Sequence, residues 1–108
     1  MAQDFIRYIA RNVGTSASTI HTSDSNDTLV GINLANTTTS QITVKVFVTV
    51  SSNDYYLVED APIPSASALQ VLDGGAKIVL QSGDALKVQS SAANSVDVWV
   101  SAVDAISS

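Results

Sequence analysis

Cysteine is missing from this 108-residue chain, and histidine, tryptophan and methionine each occur once. Without cysteine there are no disulfides, no thiolate nucleophiles and no cysteine-ligated zinc. Stability must then come from packing or from contacts between subunits. Positive charge is also scarce: five Lys and Arg stand against ten Asp and Glu, a net charge of −5. A surface of that sign repels nucleic acid phosphate and anionic lipid, so neither is expected as a partner. Arg7 and Arg11 lie close together near the N-terminus, but two residues do not make a basic patch. No apolar run approaches the ~18 to 20 residues of a membrane span. Met1-Ala2-Gln3-Asp4 is not the basic opening of a secretion signal, so the expected product is soluble and made in the cytoplasm.

What the chain does contain points to β-structure. Hydrophobic residues make up 45% of it and aromatics only 6%, so Val, Ile, Leu and Ala carry the apolar fraction. Small aliphatic side chains suit a thin interior between two sheets. The 16 Ser and 9 Thr favour turns and the solvent face of strands over helix interiors. The length predicts one domain with a single modest core.

The organising stretch is residues 62–105, where short extended segments alternate with turn chemistry at close intervals. Ala68-Leu69-Gln70-Val71-Leu72 leads into Asp73-Gly74-Gly75, a hairpin signal because glycine supplies the positive φ of a tight turn. Ser82-Gly83-Asp84 is a second such signal before Leu86-Lys87-Val88, and Val96 to Val103 closes the set. Upstream, Gln41 to Ser51 is the longest strand signal. Ile42, Val44, Val46, Val48 and Val50 form one face, and Thr43, Lys45, Phe47 and Thr49 the other. Phe47 on the outer side implies a cover there, from the N-terminal segment or a neighbouring subunit. Thr28 to Leu34 alternates with Val30, Ile32 and Leu34 on one side, and Tyr55 to Asp60 reads as a partner strand stopped by Pro62 and Pro64.

Residues 1–18 are expected as an N-terminal strand or extended arm followed by a loop, and residues 19–108 as the β-sandwich domain. The sum is seven to nine strands with adjacent hairpins predominating. The predicted fold is all-β, an antiparallel β-sandwich of jelly-roll or immunoglobulin-like type, with a small β-barrel as second choice.

Chemistry is sparse. His21 is the sole candidate base for a serine nucleophile, and no Gly-x-Ser-x-Gly elbow accompanies it. Asp24 and Asn26 open like a calcium loop. The pattern fails at Thr28, at Leu29 where glycine is required, and at Ala35 where glutamate is required. Asp54, Glu59, Asp60, Asp73, Asp84, Asp97 and Asp104 yield no nominated carboxylate pair for glycoside hydrolysis. Tyr55, Tyr56 and Trp99 could form a stacking platform for a glycan or a base, one of the two tyrosines facing the core. Asn26 and Asn36 head glycosylation acceptor patterns. No catalytic, cofactor-binding or metal-ligating residue is nominated, no cofactor is expected, and the chain is read as not an enzyme.

Two segments carry a resemblance: residues 54–64, with Tyr55-Tyr56-Leu57-Val58 before Asp60-Ala61-Pro62-Ile63-Pro64, and residues 72–88, with Leu72-Asp73-Gly74-Gly75 and Ser82-Gly83-Asp84. With Ile9-Ala10-Arg11-Asn12-Val13-Gly14 and residues 30–36, they resemble small virion structural proteins of tailed bacteriophages, cyanophages among them. The resemblance implies a non-enzymatic part of a phage particle, expected as a capsid decoration or cement protein in symmetric copies. A neck or tail/fibre-associated part, or a glycan-binding β-sandwich module, is the alternative. Implied partners are a second copy and other virion proteins, the major capsid protein or neck and tail proteins; the implied location is the virion, after synthesis in the host cytoplasm. No heptad or collagen-like repeat makes it a fibre shaft.

Overall fold

The computed structural model describes residues 2–23 and 27–106, with side chains described for 6–23, 27–71 and 78–103. Eight strands follow in order: β1 (Ala2–Val13), β2 (Ser18–Thr22), β3 (Asp27–Asn36), β4 (Ile42–Val50), β5 (Asn53–Ile63), β6 (Ala68–Leu80), β7 (Ala85–Ser90) and β8 (Val96–Ile106). They form two four-stranded antiparallel sheets, β1-β8-β3-β6 and β2-β7-β4-β5. The winding becomes simple when read from the middle. β4 and β5 form a hairpin, and β3 with β6, β2 with β7 and β1 with β8 continue it as one long antiparallel ribbon. Rolling that ribbon brings β7 against β4 and β8 against β3, which is the jelly roll.

Hairpins between consecutive strands therefore do not predominate; β4–β5 is the one such pair. Its two-residue loop, Ser51-Ser52, has positive φ at both positions (52° and 70°), the backbone of a hairpin turn whose twist matches its strands. The expected Asp73-Gly74 hairpin is absent. β6 runs straight through these residues, and between the pairs Gly31↔Asp73 and Leu29↔Ile78 four residues bulge opposite Val30 alone. Ser82-Gly83 does turn the chain, with Gly83 at φ 92°, but it carries β6 of one sheet to β7 of the other.

The core fills the space between sheets. β3 and β8 contribute Leu29, Ile32, Leu34, Val98, Val100 and Ala102; β4 and β7 contribute Ile42, Val44, Val46, Val48, Leu86 and Val88. β4 keeps its predicted alternation, with Val50 half-buried at the end. β3 does not: a bulge between Leu29 and Gly31 shifts the phase, so Leu29 joins Ile32 and Leu34 inside and Val30 leaves the buried face. β5 passes through Pro62 to Ile63 without stopping. An edge strand has a free side where a missing donor breaks no ladder bond. Residues 2–13 lie along β8 as an edge strand, in register from Ala2↔Ile106 to Ala10↔Val98 before a bulge at Asn12, whose φ is 58°.

Candidate functional site

The outer face of β1, β8 and β3 is where side chains of different chemistry converge. Inward alternation buries Val98 and Val100, which turns Trp99 outward. Register then sets Ile9 on one side of Trp99 and Asn33 on the other, with Gln70 beyond Asn33. Ser101 lies between Arg7 and Gly31 in the neighbouring row. Trp99 is 46% exposed and Ile9 56%. The Arg7 guanidinium carbon lies 5.0 Å from the indole centroid, a cation–π contact. A depression of about 360 Å³ is lined by Ile9, Arg11, Asn33, Ala35, Asp97 and Trp99 among others. A second, broader depression of about 630 Å³ lies over Arg7, Val30 and Ser101. Asp97 accepts the Asn12 backbone N–H at 3.1 Å through Oδ1.

Tyr55 and Tyr56 are not part of this platform, because β5 belongs to the other sheet. Neither faces the core: they are 58% and 46% exposed. Tyr56 instead packs on Phe47 with ring centroids 5.0 Å apart. The cover over Phe47 is thus a residue of the same chain.

His21 sits in a different setting. Its Nε2 lies 2.7 Å from Asp27 Oδ2, and Ser23 Oγ donates to that same oxygen at 2.9 Å. Tyr8 stacks on the imidazole, centroids 3.7 Å apart and planes 12° apart. A serine nucleophile needs its hydroxyl on the imidazole, whereas Ser23 donates to the carboxylate. This cluster ties β1 and β3 of one sheet to β2 of the other. Of the calcium-loop pattern, Asp24 and Asn26 lie outside the described residues and Leu29 is in the core. Among the described residues no three His, Cys, Asp or Glu side chains are grouped to hold a metal.

The carboxylates are dispersed. Asp54 accepts the Thr49 hydroxyl at 2.7 Å, Asp60 pairs with Lys45, and Asp84 accepts the Gln81 N–H at 2.9 Å. Glu59 is exposed on β5; the side chains of Asp73 and Asp104 lie outside those described. The hydrogen bond to Asp60 holds Lys45 above the ordinary lysine range. Asn36 is buried and its amide nitrogen donates to the carbonyls of Ser40, Ile63 and Pro64 at 2.8 to 3.1 Å. That amide has no room for a glycan. Asn26 lies outside the described residues.

The winding defines the class: a jelly-roll β-sandwich of two four-stranded antiparallel sheets. No family model and no curated protein matches the sequence. A solved structure of Bacillus endospore appendages, described as forming a novel family of disulfide-linked pili, is similar in fold. Its TM-score is 0.55 at 16% identity, covering 94% of this chain and 84% of that one. At that identity the likeness concerns the fold alone.

Proposed function

We propose that this protein is a non-enzymatic structural subunit of a bacteriophage particle, acting as a decoration or cement protein that assembles in symmetric copies. The observation that carries the assembly part is the distribution of exposed apolar side chains. Ile9, Tyr55, Tyr56 and Val79 stand on β1, β5 and β6, three strands at sheet edges, and Trp99 stands on β8 beside β1. Edge strands offer unpaired backbone groups, and apolar side chains beside them add buried area when a neighbour docks. β1 is the edge with the longest unbulged run: its pairing to β8 is unbroken from Ala2 to Ala10, with neither proline nor glycine in that span. The phage part rests on the resemblance of residues 54–64 and 72–88.

The Bacillus appendage protein shares the fold and is disulfide-linked. This chain has no cysteine, so its assembly depends on non-covalent contacts. The test is quantitative mass spectrometry of purified particles. On the order of hundreds of copies per particle fits shell decoration, and about six to twelve fits a neck ring, by the symmetry of such assemblies. Absence from particles overturns the phage reading. A protein that stays monomeric at high concentration, and on particles, overturns the assembly reading.

A further inference from the structure

Both arginines of the chain project from β1 on the face that carries Trp99. Four residues of extended chain separate them, about 13 Å. Arg7 lies over the indole, and Arg11 lines the depression on its other side. Among the described residues neither guanidinium has an ion-pair partner, the Asn33 amide makes no hydrogen bond, and Asp97 uses only Oδ1. A half-exposed indole, Arg11 and two uncommitted polar groups therefore line one groove, and Arg7 stands over the indole beside it.

We propose that this groove binds an acidic polysaccharide, one whose sugar rings carry carboxylates. The C–H face of a pyranose lies against the indole, as apolar groups do on aromatic rings. Its hydroxyls hydrogen-bond to Asn33 and to Asp97 Oδ2, and carboxylates on flanking sugars meet Arg7 and Arg11 as planar forks. Two other occupants fit less well. A single-stranded nucleic acid stacks successive bases on successive aromatic rings, and this groove is lined by one, Trp99. A second copy would have to supply carboxylates for both arginines. On β5, however, Asp54 is bonded to Thr49 and Asp60 to Lys45, which leaves Glu59 as that strand's one uncommitted carboxylate where two are needed. The proposal is independent of the assembly reading, since it concerns a ligand and not a neighbour.

The test titrates the intact protein with three uronate oligosaccharides of different linkage (from pectate, alginate and hyaluronan), a neutral galactan oligomer and a ten-nucleotide oligo-thymidine. Trp99, the sole tryptophan, reports by its emission, and calorimetry gives the affinity. At least one uronate should shift the emission and bind about tenfold or more tighter than the galactan. The double variant Arg7→Gln/Arg11→Gln should lose about tenfold or more of that affinity with an unchanged far-ultraviolet circular dichroism spectrum. Trp99→Ala should lose a similar factor by calorimetry. Binding to none of the three uronates, or equal or tighter binding to galactan or oligo-thymidine, overturns the proposal. So does emission that changes with protein concentration alone while Trp99→Ala disrupts an oligomer, because the occupant is then a second copy. Copy number on particles is read separately, so either idea can fail alone.

Discussion

The outer faces of the two sheets differ in how much of their chemistry is spent within the chain. On β2-β7-β4-β5 much of the chemistry is paired at home, apart from Tyr55 and Glu59 exposed at the β5 edge: Tyr56 covers Phe47, Asp60 holds Lys45, and Asp54 takes the Thr49 hydroxyl. On β1-β8-β3-β6 the indole is half-exposed and, among the described residues, both guanidiniums lack carboxylates and the Asn33 side-chain amide makes no hydrogen bond. A face whose side chains satisfy one another contributes to stability. A face that leaves them unsatisfied contributes little to stability and is available for recognition. Mutations on the two faces should therefore separate cleanly into stability effects and binding effects.

The largest expected loss lies between the faces, at the cluster joining the sheets. His21→Ala removes a partner from Asp27, a carboxylate that is 1% exposed, and removes the ring stacked on Tyr8. Breaking one side of such a pair costs about 3 kcal/mol or more. Urea unfolding at neutral pH measures it; a loss below about 1 kcal/mol would mean that the cluster does not tie the sheets together.

The next contrast is a pair of aromatic truncations. Phe47→Ala empties a site that is 4% exposed and should cost about 3 kcal/mol. Trp99→Ala, on the opposite sheet, should change stability by no more than about 0.5 kcal/mol. Thermal and urea unfolding of the two variants side by side check this. Equal losses would erase the distinction between the faces.

Much of this contrast could not be read along the chain, for a physical reason. Alternation in β4 announced which of its residues lie inside, because side-chain period is local. The same local period in β8 sets Trp99 outward and Val98 and Val100 inward. What no local pattern carries is which strand lies beside which. Ile9 and Trp99 are neighbours only because β1 pairs with β8 at the far end of the chain. Arg11, Asn33 and Asp97 were thus legible as individuals and not as the lining of one groove. The bulges were hidden likewise. Asp73-Gly74-Gly75 has the chemistry of a turn, and the strand β3 alongside holds it within a ladder. Val30 has the periodicity of a core residue, and the same irregularity moves it out. Both tyrosines were expected to divide between inside and outside, but β5 is an edge with bulges opposite Val46, and both are exposed.

A smaller effect, and a gain, is expected at the β4–β5 turn. Ser51 and Ser52 both hold positive φ, which asparagine and glycine adopt at less cost than serine. The double change Ser51→Asn/Ser52→Gly should stabilise the protein by about 1 kcal/mol, seen as a raised urea midpoint with unchanged slope. A destabilised variant would mean that the serine side chains have a role beyond the turn.

The smallest effect belongs to Lys45 and Asp60 on the self-satisfied face. The hydrogen bond to Asp60 raises Lys45 above its ordinary value, so the folded protein holds this proton more tightly than the unfolded chain does. The sign follows: the contribution is fully present below the ordinary lysine range and is lost as pH rises through the raised value. The pair is exposed, so solvent and salt screen most of it. Asp60→Asn should therefore melt slightly below the wild type at neutral pH and low salt. The gap should close both at strongly alkaline pH and in molar salt. A gap that persists under either condition would overturn the ion-pair account, because the Asp60 backbone, at φ 55°, is not perturbed by the change. Asparagine accepts that left-handed conformation at least as readily as aspartate, so the charge is the one variable the substitution removes.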